Sequence, residues 1–484
     1  MSRIIIFGTG RHLKKTIGYL TSDIEIVAFA DNNRSLWGHE YLGKIIISPV
    51  EIPNYGFDFI VIATNKYYSE INQQLIEMGV SPEQIYSLEI FLAKQRRGHI
   101  SLYGTEDSKC SAQALLISTD LNYNGGTLAC VYAAQALKKD YKNVCIAAPT
   151  GNLKLIREIN ELGITAAIAP ALLAPGPKEL ALAKDAEFVL VNVYQSIAAA
   201  CEFSRVKPVV WWIHECCELI DVTNEYYHCD YFTPYFSKIH TVAVCRNVQD
   251  NLKKAWPDLP VSIMNYGLPD FYKPGLKAKG GRHSVIFAIV GGVIYLKAQD
   301  VFVKAAVRYN EICRNPAEFW IIGSGSESEY FTEVMNIANG VPNITWKGEL
   351  SREQLEDIYP QIDVIVCPSR QEGIPIVVNE GLMNAKVCIV ADTAGDNDYI
   401  VDGESGLFFH GEDVEELANK MTYVAENYES LKNMRQKARQ VFIDHYSMES
   451  FRLRLEREIA STIAEWKPME ADCPHSIFCC QDQL

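Results

Sequence analysis

Long apolar runs are missing from this chain of 484 residues; none reaches the ~18–20 needed to cross a bilayer. The start supplies no signal-type apolar region either, because Met1-Ser2-Arg3 leads straight into a short strand-like stretch. Together these absences predict a protein that is neither membrane-spanning nor exported. Cysteine is sparse, 14 residues scattered through apolar segments such as Val144-Cys145-Ile146 and Val366-Cys367-Pro368. Neither Cys216-Cys217 nor Cys479-Cys480 has a C-x-x-C partner, so reduced, buried thiols fit better than a disulfide scaffold or a zinc site. Positive charge is short as well: Lys and Arg total 45 against 60 Asp and Glu, a formal charge of −15. A field of that sign repels duplex DNA, and no nucleic-acid partner is expected. Short repeats and low-complexity tracts are also lacking.

What is present is a repeated alternation of apolar strand, turn and amphipathic helix, the pattern of parallel sheets covered on both faces. It restarts twice. The first run, residues 1–95, has candidate strands at 3–7, 25–30, 58–63 and 84–88. A polar, aperiodic stretch, 96–110, reads as a linker. The second run, 111–270, has strands at 113–118, 143–148, 164–168, 187–192, 208–213 and 239–244 and a helix at 126–139. The third run, 271–466, alternates strands at 284–290, 317–322, 343–346, 363–367 and 386–391 with helices at 300–313, 327–338, 351–359 and 376–385. It ends in a long closing helix at 447–466, and 467–484 reads as a loose tail. The prediction is an α/β chain of three Rossmann-like domains in tandem. Its charge is uneven, balancing at about zero over 1–100 and reaching about −11 over 271–484.

Chemistry concentrates after strand 363–367. Glu372 lies in the following loop and Glu380 falls within the next helix. Loops at the carboxyl ends of parallel strands are where open α/β sheets bind ligands. A carboxylate accepts two hydrogen bonds at once and so matches the vicinal diol of a ribose or hexose. Gly373 admits close backbone approach, and a helix N-terminus offers N–H groups to a phosphate. Other parts fall in matching places. Val290-Gly291-Gly292 turns before Lys297, a point charge suited to a diphosphate. Ile322-Gly323-Ser324-Gly325 makes a second glycine turn, and Asn124-Gly125-Gly126 opens the helix at 126–139. His214 stands at the carboxyl end of strand 208–213.

Together these residues resemble the retaining glycosyltransferases of family 4, over roughly 111–466. The resemblance implies the two-lobed GT-B fold, preceded here by a third, small Rossmann-like domain. Lobe 111–270 would then face the acceptor and lobe 271–466 the nucleotide-sugar donor. Glu372 and Glu380 match the family's pair of glutamates, the first on the donor sugar and the second on the ribose, with Gly373 and Ile374 between them. Lys297 matches the lysine on the donor diphosphate; the arginine that usually accompanies it falls on Gly292. Asp398, in the loop 395–406, stands where glutamate is commoner, and Asn265-Tyr266-Gly267 resembles the hinge between lobes. His214 matches a histidine near the reaction centre.

The implied reading is an enzyme that moves a sugar from a nucleotide diphosphate sugar to a glycan or lipid-linked acceptor, with retention, in bacterial surface polysaccharide synthesis. It needs no cofactor and no metal. Glu372, His214 and Lys297 are the candidate catalytic residues; Glu380, Gly373, Ile374, Gly323, Gly325, Gly125, Gly126 and Asp398 are the candidate donor-binding set. The alternatives are an epimerase or hydrolase on the same fold and a catalytically weak nucleotide-sugar scaffold. The expected location is the cytoplasm or the inner membrane face, with at most peripheral membrane contact. In the front domain, Gly8-Thr9-Gly10 with Asp31 resembles a dinucleotide fingerprint whose third glycine is replaced by Leu13. The domain resembles more closely the one fronting bacterial sugar acyltransferases, and a second nucleotide sugar or a protein partner is expected there.

Overall fold

The computed structural model describes every residue except 1, 65, 105–110, 217–218, 220–222, 224–231, 275–283, 396–397 and 468–484. The expected tail, apart from Lys467, lies outside the described residues, as do Cys217, Cys479 and Cys480. Three sheets stand where three runs were expected. The first has strands β1 (Ser2–Phe7), β2 (Ile24–Ala30), β3 (Glu40–Tyr41), β4 (Lys44–Ile47), β5 (Phe59–Ile62) and β6 (Ile85–Ser87), in the order β3-β4-β2-β1-β5-β6. Strand β1 is buried on both faces, which is why it reads as an unbroken apolar run. Ile5 and Phe7 join one core and Ile4 and Ile6 the other, as a side-chain period of two demands. The hairpin β3–β4 escaped the sequence reading. Its turn is Leu42-Gly43, both at positive φ (48° and 74°), and leucine there gives no turn signal.

The second sheet contains β7 (Ser101–Tyr103), β8 (Ala114–Ile117), β9 (Val144–Ala148), β10 (Thr165–Ile168), β11 (Phe188–Asn192), β12 (Val209–Ile213), β13 (Ile239–Ala243) and β14 (Val261–Ile263). Its order is β14-β13-β12-β11-β8-β9-β10-β7, parallel except for β7, which runs antiparallel to β10. Strand β7 corrects the reading of 96–110 as linker throughout. Three residues are too few to show a period, yet their pairing with β10 closes that edge of the sheet. The third sheet has β15 (Val285–Val290), β16 (Ala317–Ile322), β17 (Ile344–Gly348), β18 (Val364–Cys367), β19 (Val387–Ala391) and β20 (Leu407–Phe409), all parallel, in the order β17-β16-β15-β18-β19-β20.

Each large sheet reverses its strand order at its first parallel strand. Strand β8 lies between β11 and β9, and β15 between β16 and β18. The loops leaving the carboxyl ends of such neighbours diverge to opposite faces and leave a crevice. The loops after β15 and β18 carry Lys297 and Glu372; those after β8 and β12 carry Gly125 and His214.

The closing helix Met448–Glu465 does not stay with the lobe that precedes it. It crosses back and seats on the second sheet's lobe, stacking Phe451 on Trp212 with centroids 5.5 Å apart. Glu458 bonds His240 at 2.6 Å, and Lys139 bonds Glu449 at 2.8 Å. Assigning that helix to 271–466 by sequence order is therefore corrected by its packing. The crossing passes the expected hinge: a Cβ on Gly267 would lie 2.9 Å from the Ser447 carbonyl oxygen, so only glycine lets the two connections touch.

Candidate functional site

A cleft of about 410 Å³ lies between the two large lobes, lined among others by Gly125, Gly126, His214, Lys297, Glu372 and Glu380. Glu372 leaves the turn after β18 with both oxygens engaged. Lys297 pairs with Oε1, and the Ser369 hydroxyl donates to Oε2 at 2.7 Å. Glu380 lies in helix Ile376–Met383, directed inward, and is only 3% exposed. Its carboxylate holds Arg352 on Oε1 and accepts from the Tyr359 hydroxyl on Oε2 at 2.5 Å. A carboxylate that deep needs such partners, since an unpaired charge there is costly. Burial opposes the Arg352 charge, but Glu380 more than restores it and holds the guanidinium pKa above its usual value. Burial, and then Glu380, pushes the Tyr359 phenol far upward.

Backbone approaches decide where glycine must stand. A Cβ on Gly373 would sit 2.6 Å from the His214 carbonyl oxygen on the opposite lobe, and one on Gly395 only 1.8 Å from the Gly373 oxygen. The lobes meet at this seam, where Gln371 donates to the Cys216 carbonyl at 2.5 Å and Tyr266 donates to the Ile374 carbonyl at 2.6 Å. Gly125 and Gly126 open helix Gly125–Leu137, capped by Asn124, whose side chain accepts from the Thr127 N–H at 2.9 Å. They face the first turn of helix Ile376–Met383, with Ile376 Cδ1 3.8 Å from the position of a Gly125 Cβ.

His214 packs against Trp212 with ring centroids 4.4 Å apart, and its buried Nε2 has no hydrogen-bond partner among the described residues. Burial pushes its pKa down to about 3, so the imidazole is neutral at ordinary pH. The unfolded histidine, near 6.5, takes up a proton that the folded one refuses. The contribution to stability is thus full above about pH 6.5 and is lost as pH falls toward 3, with a slope of at most about 1.4 kcal/mol per pH unit. Unfolding midpoints measured from pH 7 to pH 4 should fall less steeply for His214→Gln than for the wild type. Parallel curves would show that His214 protonates freely in the folded state.

Not every expected residue reaches the cleft. Gly323 and Gly325 are not among its lining residues and pack on the loop after β15, a Cβ on Gly323 falling 1.9 Å from the Gly291 oxygen and one on Gly325 2.9 Å from the Val293 oxygen. Asp398 sits at the lobe seam, 3.5 Å from Arg246. Three residues not expected do contribute: Arg352 and Tyr359 around Glu380, and Ser369 on Glu372. Arg352 follows the N-cap Ser351 in a Ser-x-x-Gln capping box, which from sequence marks only a helix start. Among the described residues no cluster of His, Cys, Asp or Glu is built to hold a metal ion, and no helix is long and apolar enough to cross a membrane.

In the front domain the Asp31 carboxylate is consumed locally. It accepts from the Thr9 N–H (3.2 Å), the Thr9 hydroxyl (2.9 Å) and the Asn33 N–H (2.9 Å). An aspartate so engaged is a turn staple, and Leu13 in the third glycine's place is fully buried core.

Residues 277–441 match the family described as Glycosyl transferases group 1, and residues 1–86 match C2185-like, N-terminal. A D-inositol 3-phosphate glycosyltransferase of Kribbella flavida is 27% identical over 34% of this chain and 42% of its own. A UDP-Gal:alpha-D-GlcNAc-diphosphoundecaprenol alpha-1,3-galactosyltransferase of Escherichia coli is 25% identical over 40% of this chain and 53% of its own. The chain thus spans about half the length of these curated relatives. Among solved structures, a glycosyltransferase from Rickettsia africae aligns with a TM-score of 0.61 at 16% identity, over 73% of this chain and 99% of its own. Anabaena HepE, solved with UDP and glucose, aligns at 0.58 and 13% identity, over 72% and 100%. The two large lobes have the GT-B architecture, preceded by a third, small Rossmann-like domain.

Proposed function

We propose that the protein is a retaining glycosyltransferase that moves a sugar from a nucleotide diphosphate sugar to a glycan or lipid-linked acceptor. The observation that carries this reading is the convergence of Glu372, Glu380 and Lys297 on one interlobe cleft. Glu380 takes the ribose diol and Glu372 the hydroxyls of the donor sugar. Lys297, held by Glu372, faces the departing diphosphate together with the first N–H groups of helix Ile376–Met383, where charge develops most. Neutral His214, with Nε2 unpartnered, positions a sugar hydroxyl. The acceptor oxygen bonds to the anomeric carbon on the face that the phosphate leaves, and its proton passes to that phosphate. No protein nucleophile is needed.

The match at 277–441 supports the reading, as do relatives whose names concern lipid-linked and lipopolysaccharide sugars. A role in bacterial surface polysaccharide synthesis, in the cytoplasm or at the inner membrane face, belongs to the same proposal. So does recruitment of a second nucleotide sugar or a protein partner by the front domain. The experiment is nucleotide release from a panel of UDP-, GDP- and TDP-sugars. Slow hydrolysis alone, faster release with acceptor, survival of turnover in EDTA and a retained anomeric signal by NMR are expected. No release from any donor would sink the proposal, and an inverted product would remove the retaining mechanism.

A further inference from the structure

We infer that Arg352 is a second cation of the donor site, binding the diphosphate at its nucleoside end; the inference rests on the donor reading above and names a residue that reading does not use. Arg352 opens helix Arg352–Ile358 and lines the same cleft as Lys297. Its Nη1 pairs with Glu380, its Nε lies 3.3 Å from Glu356, and its guanidinium carbon lies 4.8 Å from the Phe271 ring centre. The side chain is 37% exposed, whereas the Glu380 side chain is 4% exposed. Glu380 is thus the more deeply set member of the pair at the cleft, and Arg352 the more open one. A guanidinium carries five N–H donors in a planar fork, and Nη2 has no partner among the described residues.

The placement of the two cations sets the assignment. Lys297 is fixed on Glu372 and Arg352 on Glu380, and these glutamates flank the N-terminus of helix Ile376–Met383. A diphosphate lying across that terminus, with ribose toward Glu380 and sugar toward Glu372, meets Arg352 at one end and Lys297 at the other. Lys297 is matched by Glu372, and Arg352 by the buried Glu380 and the more exposed Glu356, so both cations are already paired before an anion arrives. An anion entering between them gains hydrogen bonds without leaving either carboxylate buried and unpaired.

The test is calorimetric titration of the full chain with UDP, GDP and ADP, each beside its nucleoside. Arg352→Gln keeps a donor for Glu380 and removes the charge. It is expected to weaken diphosphate binding by about ten- to hundredfold, with the nucleoside changing by less than about threefold. The salt dependence of diphosphate binding should flatten, and Arg352→Lys should recover most of the affinity. Equal losses for nucleoside and diphosphate would mean that Arg352 only orients Glu380, and unchanged diphosphate affinity would remove any role; either overturns the inference. A wild-type chain that binds none of the diphosphates overturns the donor reading itself. Should Arg352→Gln fail to fold, the double variant with Glu380→Gln is compared with Glu380→Gln alone, and the ratio of diphosphate to nucleoside affinity decides by the same criterion.

Discussion

Glu372→Gln is expected to slow single turnover at saturating donor by about 2–4 kcal/mol of barrier, as for the loss of one preorganised electrostatic contact. In the proposed role the carboxylate faces the sugar as it becomes cation-like, so its charge counts most at the transition state. It also holds Lys297, and Ser369 fixes its second oxygen. The amide keeps the shape but releases the lysine to the diphosphate, so donor affinity should hold or rise while turnover falls. Glu380→Gln should do the reverse. Its proposed contact, the ribose, is unchanged between ground and transition states, so its loss weakens donor binding by roughly 1–3 kcal/mol and leaves the saturated rate close to wild type. Glu380 is also buried against Arg352 and Tyr359, so a lower melting temperature accompanies the change. Donor affinity and single-turnover rate measured on both variants test the roles. Normal turnover in Glu372→Gln, with chemistry abolished in Glu380→Gln, would falsify the assignment.

A chain starting at residue 111 is expected to lose on the order of 5 kcal/mol of stability relative to one starting at residue 87. The reason is that residues 88–104 pack into the second lobe. Helix Leu88–Gln95 sends Ile90 and Ala93 into the same core as the second lobe, and Arg97 donates to the Ala174 carbonyl at 3.0 Å. The fully buried Glu179 accepts from the Gly98 N–H at 2.6 Å and from the Gly176 N–H at 3.0 Å. Cutting at 111 removes the first of those donors, the apolar helix face and strand β7. The Gly176 N–H stays, but a buried carboxylate oxygen that loses its donor costs about 1–3 kcal/mol. A start at 87 keeps all three and exposes only the face carrying Leu88 and Phe91, which packs on the front domain. Urea midpoints of the two truncations decide the matter; equal values would make 88–104 an ordinary tether.

Local chemistry determined much of this protein. Strands buried on both faces must be apolar along their length, so Arg3–Phe7, Pro208–Ile213 and Asp363–Cys367 announced three largely parallel sheets and their order in the chain. The spacing of Glu372 and Glu380 across a strand-to-helix turn singled out two residues that the fold places on one cleft. What the sequence did not determine depends on partners far away in the chain. Strand β7 exists because β10 offers an open edge, and helix Met448–Glu465 changes lobe because Trp212 and His240 receive it. Gly323 and Gly125 read alike as glycine turns, yet one backs a loop and the other faces the cleft. Arg352 reads as a solvated residue in the first helical turn until the fold brings a buried carboxylate 28 residues away against it. Local propensity fixes which segments are strands and helices, because backbone sterics and side-chain periodicity act within a few residues. Which carboxylate meets which cation was decided only when the strands of the third sheet came side by side, since burial and pairing are set by groups that the chain order keeps apart.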